Sequence, residues 1–256
     1  MNAAIPSSSV TSAPGWLHRA LRHRSFVIGA VLSLLLILAA ALSLVWTPWS
    51  PYEMDLANKL AGPSGTHWLG TDAFGRDVAS LLLVGARNSI LVGVIAVGIG
   101  LTIGTALGLL AAAKRGWVEE LIMRLADFTF AFPAILSAIM MTAVFGAGIV
   151  NSIIAIGIFN IPTFARVTRA SANAVWSREY IMASRACGKG SWRITLEHVL
   201  PNILSVLIVQ ATIQFAIAIL AEAALSYLGL GTQPPQPSWG RMLSEAQTLM
   251  FQAPLL

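Results

Sequence analysis

Ser177-Arg-Glu-Tyr-Ile-Met-Ala-Ser-Arg-Ala-Cys-Gly188 lies at the centre of a polar stretch, 166–202, between two strongly apolar runs. Ser177 is of a type that caps helix starts, and Glu179 falls in the first turn, where the helix dipole favours an anion. Arg185 falls near the far end, and Gly188 stands where helices end in a left-handed residue. The pattern predicts a helix over 177–187 of about three turns. Its small residues Ala183, Ser184 and Ala186 let another surface approach the backbone closely, which suits a plug for a partner's groove. An ordinary surface helix fits the same letters.

The flanking runs set the class. Of 256 residues, 56% are hydrophobic and 11% charged, whereas a soluble domain carries about a quarter charged residues. Apolar runs cover 26–46, 90–113, 121–145, 153–164 and 201–228. Most approach or exceed the roughly 20 residues that cross a bilayer core. The first is longer than a signal-peptide core and reads as a retained anchor. Pro133 interrupts the third and invites a kink. The fourth is short and contains Asn160 and Pro162, so it is expected to be tilted, irregular or buried, or to extend at its ends. Gly100, Gly104 and Gly108 form a small-residue stripe on the second. The expected organisation is a cytoplasmic tail (1–25), an anchor (26–46), an extracytoplasmic segment (47–85) and the main unit (86–256) with a cytoplasmic loop over 166–198. Within 47–85, Asp72 is expected to cap a short helix from Ala73 to Val84. After turn-rich residues 229–240, Arg241 to Phe251 reads as amphipathic.

Charge placement orients the chain. Arg19, Arg22, Arg24, Lys114, Arg115, Arg124, Arg166, Arg169, Arg178, Arg185, Lys189 and Arg193 fall on the side taken as cytoplasmic. Lys59, Arg76, Arg87 and Arg241 fall on the other. That bias follows the positive-inside rule and accounts for the net charge of +5 without nucleic acid. There is no Gly-x-x-x-x-Gly-Lys-Ser/Thr phosphate loop and no zinc-spaced His or Cys cluster. His67 with Asp72 and Asp77 is a conceivable metal set, with capping and loop ordering as the alternative. The single cysteine, Cys187, suggests no chemistry. Among intramembrane polar residues, Asn160, Gln210, Gln214 and Glu222 are candidates for a translocation path. Interhelical hydrogen bonding is the other reading for the amides, and packing or loop anchoring for Glu222. Asp127 is expected to pair with a base such as Arg124.

The polar stretch resembles the EAA loop of ATP-binding-cassette importer permeases: Glu-Ala-Ala, three residues, Gly, nine residues, Ile-x-Leu-Pro. Here it falls on Met182-Ala183-Ser184, Gly188, His198 and Leu200-Pro201. Met182 replaces the Glu, Ser184 the second Ala and His198 the Ile. His67-Trp-Leu-Gly-Thr-Asp-Ala-Phe-Gly-Arg-Asp77, followed by Gly85-Ala-Arg-Asn-Ser-Ile-Leu-Val-Gly93, is similar to the C-type subunit of dipeptide and oligopeptide importers. So are Glu222-Ala-Ala-Leu-Ser-Tyr-Leu-Gly-Leu-Gly231 and Pro234-Pro-Gln-Pro-Ser-Trp-Gly240.

The resemblance implies an all-α membrane protein with the type I importer transmembrane fold. Five spans are visible, a sixth is expected beyond Leu256, and the amino terminus is cytoplasmic. It implies a multi-pass protein of a bacterial-type inner membrane, pairing with a homologous B-type permease subunit, two ATP-binding-cassette ATPase domains and an external substrate-binding protein. ATP and Mg would be bound by the ATPase subunits, with no cofactor and no enzymatic activity in this chain. The cargo would be di- or oligopeptides, or alternatively nickel, haem or another small solute. Arg178, Glu179, Tyr180, Met182, Ala183, Ser184, Arg185 and Gly188 would contact the ATPases. A channel or intramembrane enzyme is the competing class, against which the regularly spaced loop argues.

Overall fold

A computed structural model describes residues 21–254. The expected amino-terminal tail lies largely outside them. The described residues form helices, most joined by short connections; the long one, 46–77, holds a 3-10 turn at Leu56–Asn58 and one isolated bridge between Thr71 and Asp77. Their order is α1 (Arg24–Val45), α2 (Val78–Lys114), α3 (Gly116–Ala131), α4 (Ala134–Phe145), α5 (Ile149–Trp176), α6 (Glu179–Ala186), α7 (Ser191–Ile194), α8 (Leu200–Tyr227) and α9 (Trp239–Leu249). A π-helical turn, Thr195–Val199, joins α7 to α8. Four stretches are long and apolar enough to cross a membrane: α1, α2, α5 and the continuous Ser191–Tyr227. The pair α3 and α4, bent by 83°, makes a fifth if counted as one span.

The break between α3 and α4 falls at Pro133, which has no N–H to continue the ladder. Two expected boundaries move. No separate helix runs from Ala73 to Val84, because α2 begins at Val78 and continues through the boundary expected at residue 85. Asp77, not Asp72, caps it, accepting from the Ser80 N–H at 2.8 Å. Asp72 instead closes a turn, accepting from the Phe74 and Arg76 N–H groups, both at 2.8 Å. That turn needs the left-handed Gly75, φ +76°, against which the Asp55 backbone packs. The fourth span is also far longer than 153–164. α5 has 28 residues and carries Pro162 inside it. Its polar second half hid it, since Arg166 and Arg169 end the apolar run but not the helix.

α2 and α5 form the centre. Gly104 faces α5 so closely that an added Cβ would lie 2.5 Å from the Ile161 carbonyl oxygen and 2.6 Å from Phe164 Cβ. Small residues permit such approach where lipid supplies no hydrophobic drive for helix association. Toward the polar loop, Arg166 pairs with Asp127 and stacks 4.3 Å over the Phe130 ring. Arg169 pairs with Glu119 at 2.5 Å. These contacts fasten α3 to α5. Asp127 therefore takes its partner from α5, and Arg124 pairs with Glu120 at 2.8 Å instead.

Gly104→Ala is expected to destabilise the fold by about 1–3 kcal/mol through overpacking. Gly98→Ala, which meets nothing within 4 Å, is expected to be neutral. Thermal unfolding of both variants in detergent makes the comparison.

Candidate functional site

The polar loop folds into an elbow. α6 has eight residues, two turns rather than three. Its N-cap is Arg178, and Ser177 does not cap it, because the Ser177 hydroxyl donates back to the Ala174 carbonyl at the end of α5. Glu179 and Arg185 occupy the first and last turns as expected, and Gly188 has φ +82°. Ile181 is 1% exposed and belongs to the same hydrophobic cluster as Trp176, Ile194 and Val199. Arg185 lies 4.8 Å over the Trp176 ring. One aliphatic side chain thus roots α6 between the end of α5 and the start of α8. Arg178, Glu179, Tyr180, Met182, Ala183 and Arg185 remain exposed around it. Arg178 and Glu179 make no ion pair among the described residues.

The far side of the elbow is polar. Ser184 Oγ lies 3.3 Å from His198 Nε2, which is also 3.3 Å from Lys189 Nζ. Two departures from the loop pattern therefore meet: a hydroxyl and an imidazole stand where the pattern has two apolar groups. Lys189 and Arg193 clasp Glu197 at 2.7 and 2.5 Å. The Arg193 guanidinium, with the Lys189 ammonium, holds the Glu197 carboxyl down at about 2. Because that value is depressed, the clasp is fully formed above the ordinary carboxylate range and is lost only as pH falls through about 2.

The π turn has a direct cause. Pro201 offers no N–H to the Glu197 carbonyl, and its ring opposes that carbonyl. The chain widens by one residue, so the Leu200 N–H donates to the Thr195 carbonyl. Asn202 Nδ2 donates to the His198 carbonyl at 2.6 Å. The Leu-Pro of the pattern is thus read out as a wide turn at the junction of elbow and span, a place where π turns are often functional.

The candidate path residues separate into two groups. Asn160 on α5 and Gln214 on α8 line one cavity of about 210 Å³, walled by Phe159, Ile217 and Leu225 and bordered by Ala134 and Ile135 of α4. They are 6% and 8% exposed. Asn160 Nδ2 is fully buried without a hydrogen-bond partner among the described residues, so the interhelical bond expected of it is not formed there. An orphaned buried donor costs about 1–3 kcal/mol. Gln210, half-buried one turn earlier on α8, does not line that cavity.

Glu222 does not line it either. It is 1% exposed and accepts from Ser89 at 3.1 Å, Ser226 at 2.7 Å and Thr232 at 3.2 Å. Asn88 donates to the Pro237 carbonyl at 2.8 Å, and Trp239 Nε1 to the Leu82 carbonyl at 3.1 Å. The carboxylate therefore straps the turn after α8 to the outer half of α2.

The conceivable metal set also separates. Asp77 pairs with His67 at 3.1 Å, while Asp72 pairs with Arg76 at 2.6 Å. Arg76 also reaches Glu245 of α9 at 3.4 Å. No group of three or more metal-ligating side chains occurs among the described residues.

Residues 104–256 match the family model of binding-protein-dependent transport system inner membrane components. The chain belongs to that family. The permease is 40% identical to the dipeptide transport system permease protein DppC of Alkalihalophilus pseudofirmus, over 99% of this chain and 84% of that one. It is 41% and 44% identical to the glutathione transport system permease proteins GsiD of Pectobacterium atrosepticum and Escherichia coli, each over 92% of this chain and 79% and 78% of theirs. Its fold is similar to that of a solved structure of the MetNI methionine ABC transporter in an inward-facing conformation. That match has a TM-score of 0.53 at 18% identity and covers 68% of this chain and 93% of that one. The protein is thus an inner-membrane permease with the ABC importer transmembrane fold, and a transport subunit.

What the sequence did not single out is Ile181 as the root of the elbow and the meeting of Ser184 with His198. Only the loop spacing hinted at the second of these. Replacing His198 alone by Ile leaves the Ser184 hydroxyl facing an apolar group, whereas Ser184→Ala with His198→Ile restores an apolar pair. A double-mutant cycle on thermal stability is expected to show a coupling of about 0.5–1.5 kcal/mol. Additive effects would remove the contact from the account.

Proposed function

We propose that this permease imports di- or oligopeptides, forming half of a translocation path with a homologous B-type permease subunit. Two ATPase domains on other chains drive it, binding ATP and Mg there, and an external substrate-binding protein delivers the cargo. The observation that carries the coupling role is the elbow itself. α6 presents exposed Tyr180 and Met182 outward while Ile181 roots it between two spans. Arg178, Glu179, Ala183, Ser184, Arg185 and Gly188 complete the surface that an ATPase groove would grip. Peptide cargo is supported by relatives whose names specify dipeptide and glutathione transport.

Nucleotide binding closes the ATPases and displaces α6. The displacement passes through the Trp176 end of α5 and through the π turn into α8. These same two helices hold Asn160 and Gln214. From Trp176 to Asn160 is sixteen residues of one helix, about 24 Å. A rigid rod of that length converts a tilt at the elbow into opening or closing of the central cavity.

The test is uptake into proteoliposomes holding the complete complex with its loaded binding protein. ATP-dependent peptide uptake is expected for the native chain. Gly188→Val is expected to abolish uptake while leaving membrane insertion intact. The obstacle there is the left-handed backbone and not space, since nothing lies within 4 Å. Gly188→Asn, tolerant of that conformation, should retain most activity. Uptake of nickel or haem in place of peptide would overturn the cargo, and normal uptake in Gly188→Val would overturn the coupling role.

A further inference from the structure

The cavity between α4, α5 and α8 combines two features that do not arise from packing alone. The first is a pair of carboxamides more than nine-tenths buried, Asn160 and Gln214, of which the Asn160 Nδ2 has no hydrogen-bond partner among the described residues. The second is the start of α4. Pro133 breaks the helix there, no side chain caps α4, and Ala134 and Ile135 border the cavity. The first N–H groups of a helix lack intrahelical acceptors, and its dipole places partial positive charge at that end. Two residues with carboxamide side chains and the start of a helix therefore border one small space whose lining holds no charged side chain.

We propose that this cavity is a subsite for a carbonyl oxygen of the cargo's peptide backbone, held by Asn160 and Gln214 at the uncapped start of α4. The inference rests on the reading that the permease carries peptides. The chemistry favours a neutral acceptor. A cationic group would meet the positive end of α4, and no basic side chain in the lining balances a full negative charge. Carboxamides also serve every peptide alike, because the backbone carbonyl is common to all of them. The apolar walls, Ile156, Phe159 and Ile217 among them, accept side chains without selecting a charge. The two carboxamides sit on α5 and α8, the helices that leave the elbow. Rocking either one changes their separation, so the subsite is formed in one state and dispersed in another.

The experiment uses the assembled complex in proteoliposomes with saturating loaded binding protein. Uptake of a dipeptide is compared with uptake of its thioamide analogue, whose sulfur is a poorer hydrogen-bond acceptor. Affinity of the binding protein for each cargo is measured separately. The native complex is expected to move the thioamide about fivefold to tenfold more slowly, the value of one net hydrogen bond. Gln214→Leu and Asn160→Leu are expected to slow the ordinary dipeptide by a similar factor and to abolish the discrimination between the two cargoes. Thermal stability of Asn160→Leu should be unchanged or higher, since it removes an orphaned polar group; should Gln214→Leu fail to assemble, Gln214→Met gives the same readout. A dipeptide with an amidated terminus distinguishes the backbone carbonyl from the terminal carboxylate. Uptake equal to that of the free dipeptide supports the backbone carbonyl, and a loss removed by the same variants overturns it. Variants that slow both cargoes equally, or that lose assembly with the partner permease alone, would show a packing role and overturn the subsite. A native complex that moves no peptide would overturn the cargo reading and this inference together. Native peptide uptake with discrimination intact in the variants would overturn the inference alone.

Discussion

The close approach of α2 and α5 governs the rest of the structure. Inside a bilayer the hydrophobic effect does not drive one helix against another, so packing and polar contacts must. The glycine face of α2 lets α5 lie backbone to backbone against it. That contact fixes α5 as a rod, and the rod then determines where everything attached to it can be. At its inner half it carries the arginines that hold α3. At its inner end it carries Trp176 and, one turn of chain later, the elbow. Midway it presents Asn160 to the cavity. A looser α2–α5 contact would disconnect these features even if each were locally intact.

The outer half of the molecule depends on a different solution to the same solvent. A carboxylate at mid-membrane costs about 2.5–3.5 kcal/mol on insertion scales. Glu222 is removed from lipid altogether and surrounded by three hydroxyl donors. Those donors come from α2, from α8 itself and from the turn beyond it, so the carboxylate closes a strap across the top of the bundle. The glycines of that stretch fit the same purpose. At Gly240 an added Cβ would lie 2.0 Å from the Ala223 carbonyl oxygen.

Much of this was legible in the letters, and the reasons differ by element. The five apolar stretches, the Pro133 break and the Gly188 helix end followed from short-range rules about lipid, proline and left-handed backbone. The length of α5 did not, because hydropathy marks where lipid ends and not where a helix ends. Asp77 took the cap expected of Asp72 because a turn through Gly75 came first, and turn geometry depends on the distant Asp55 backbone. Asp127 pairs with a base, as expected, but that base is Arg166, 39 residues away, where local spacing points to Arg124. The elbow's spacing was readable, yet its root at Ile181 was not, since Met182 beside it is as apolar and points outward. The cavity of Asn160 and Gln214 joins two spans distant in sequence, and nothing local announces that the Asn160 Nδ2 lacks a partner.

The central claim is that the elbow between α5 and α8 is gripped by the ATPase that drives transport. The chain's single thiol, Cys187, stands exposed at the end of α6 and offers a native probe there. A short thiol-directed photocrosslinker on Cys187, in a fully assembled complex with verified ATP-dependent uptake, measures that grip most directly. The account predicts a crosslink to the ATPase whose yield changes between the nucleotide-free and ATP-bound states. An actively transporting complex in which Cys187 reacts only with solvent, in every nucleotide state, would contradict it.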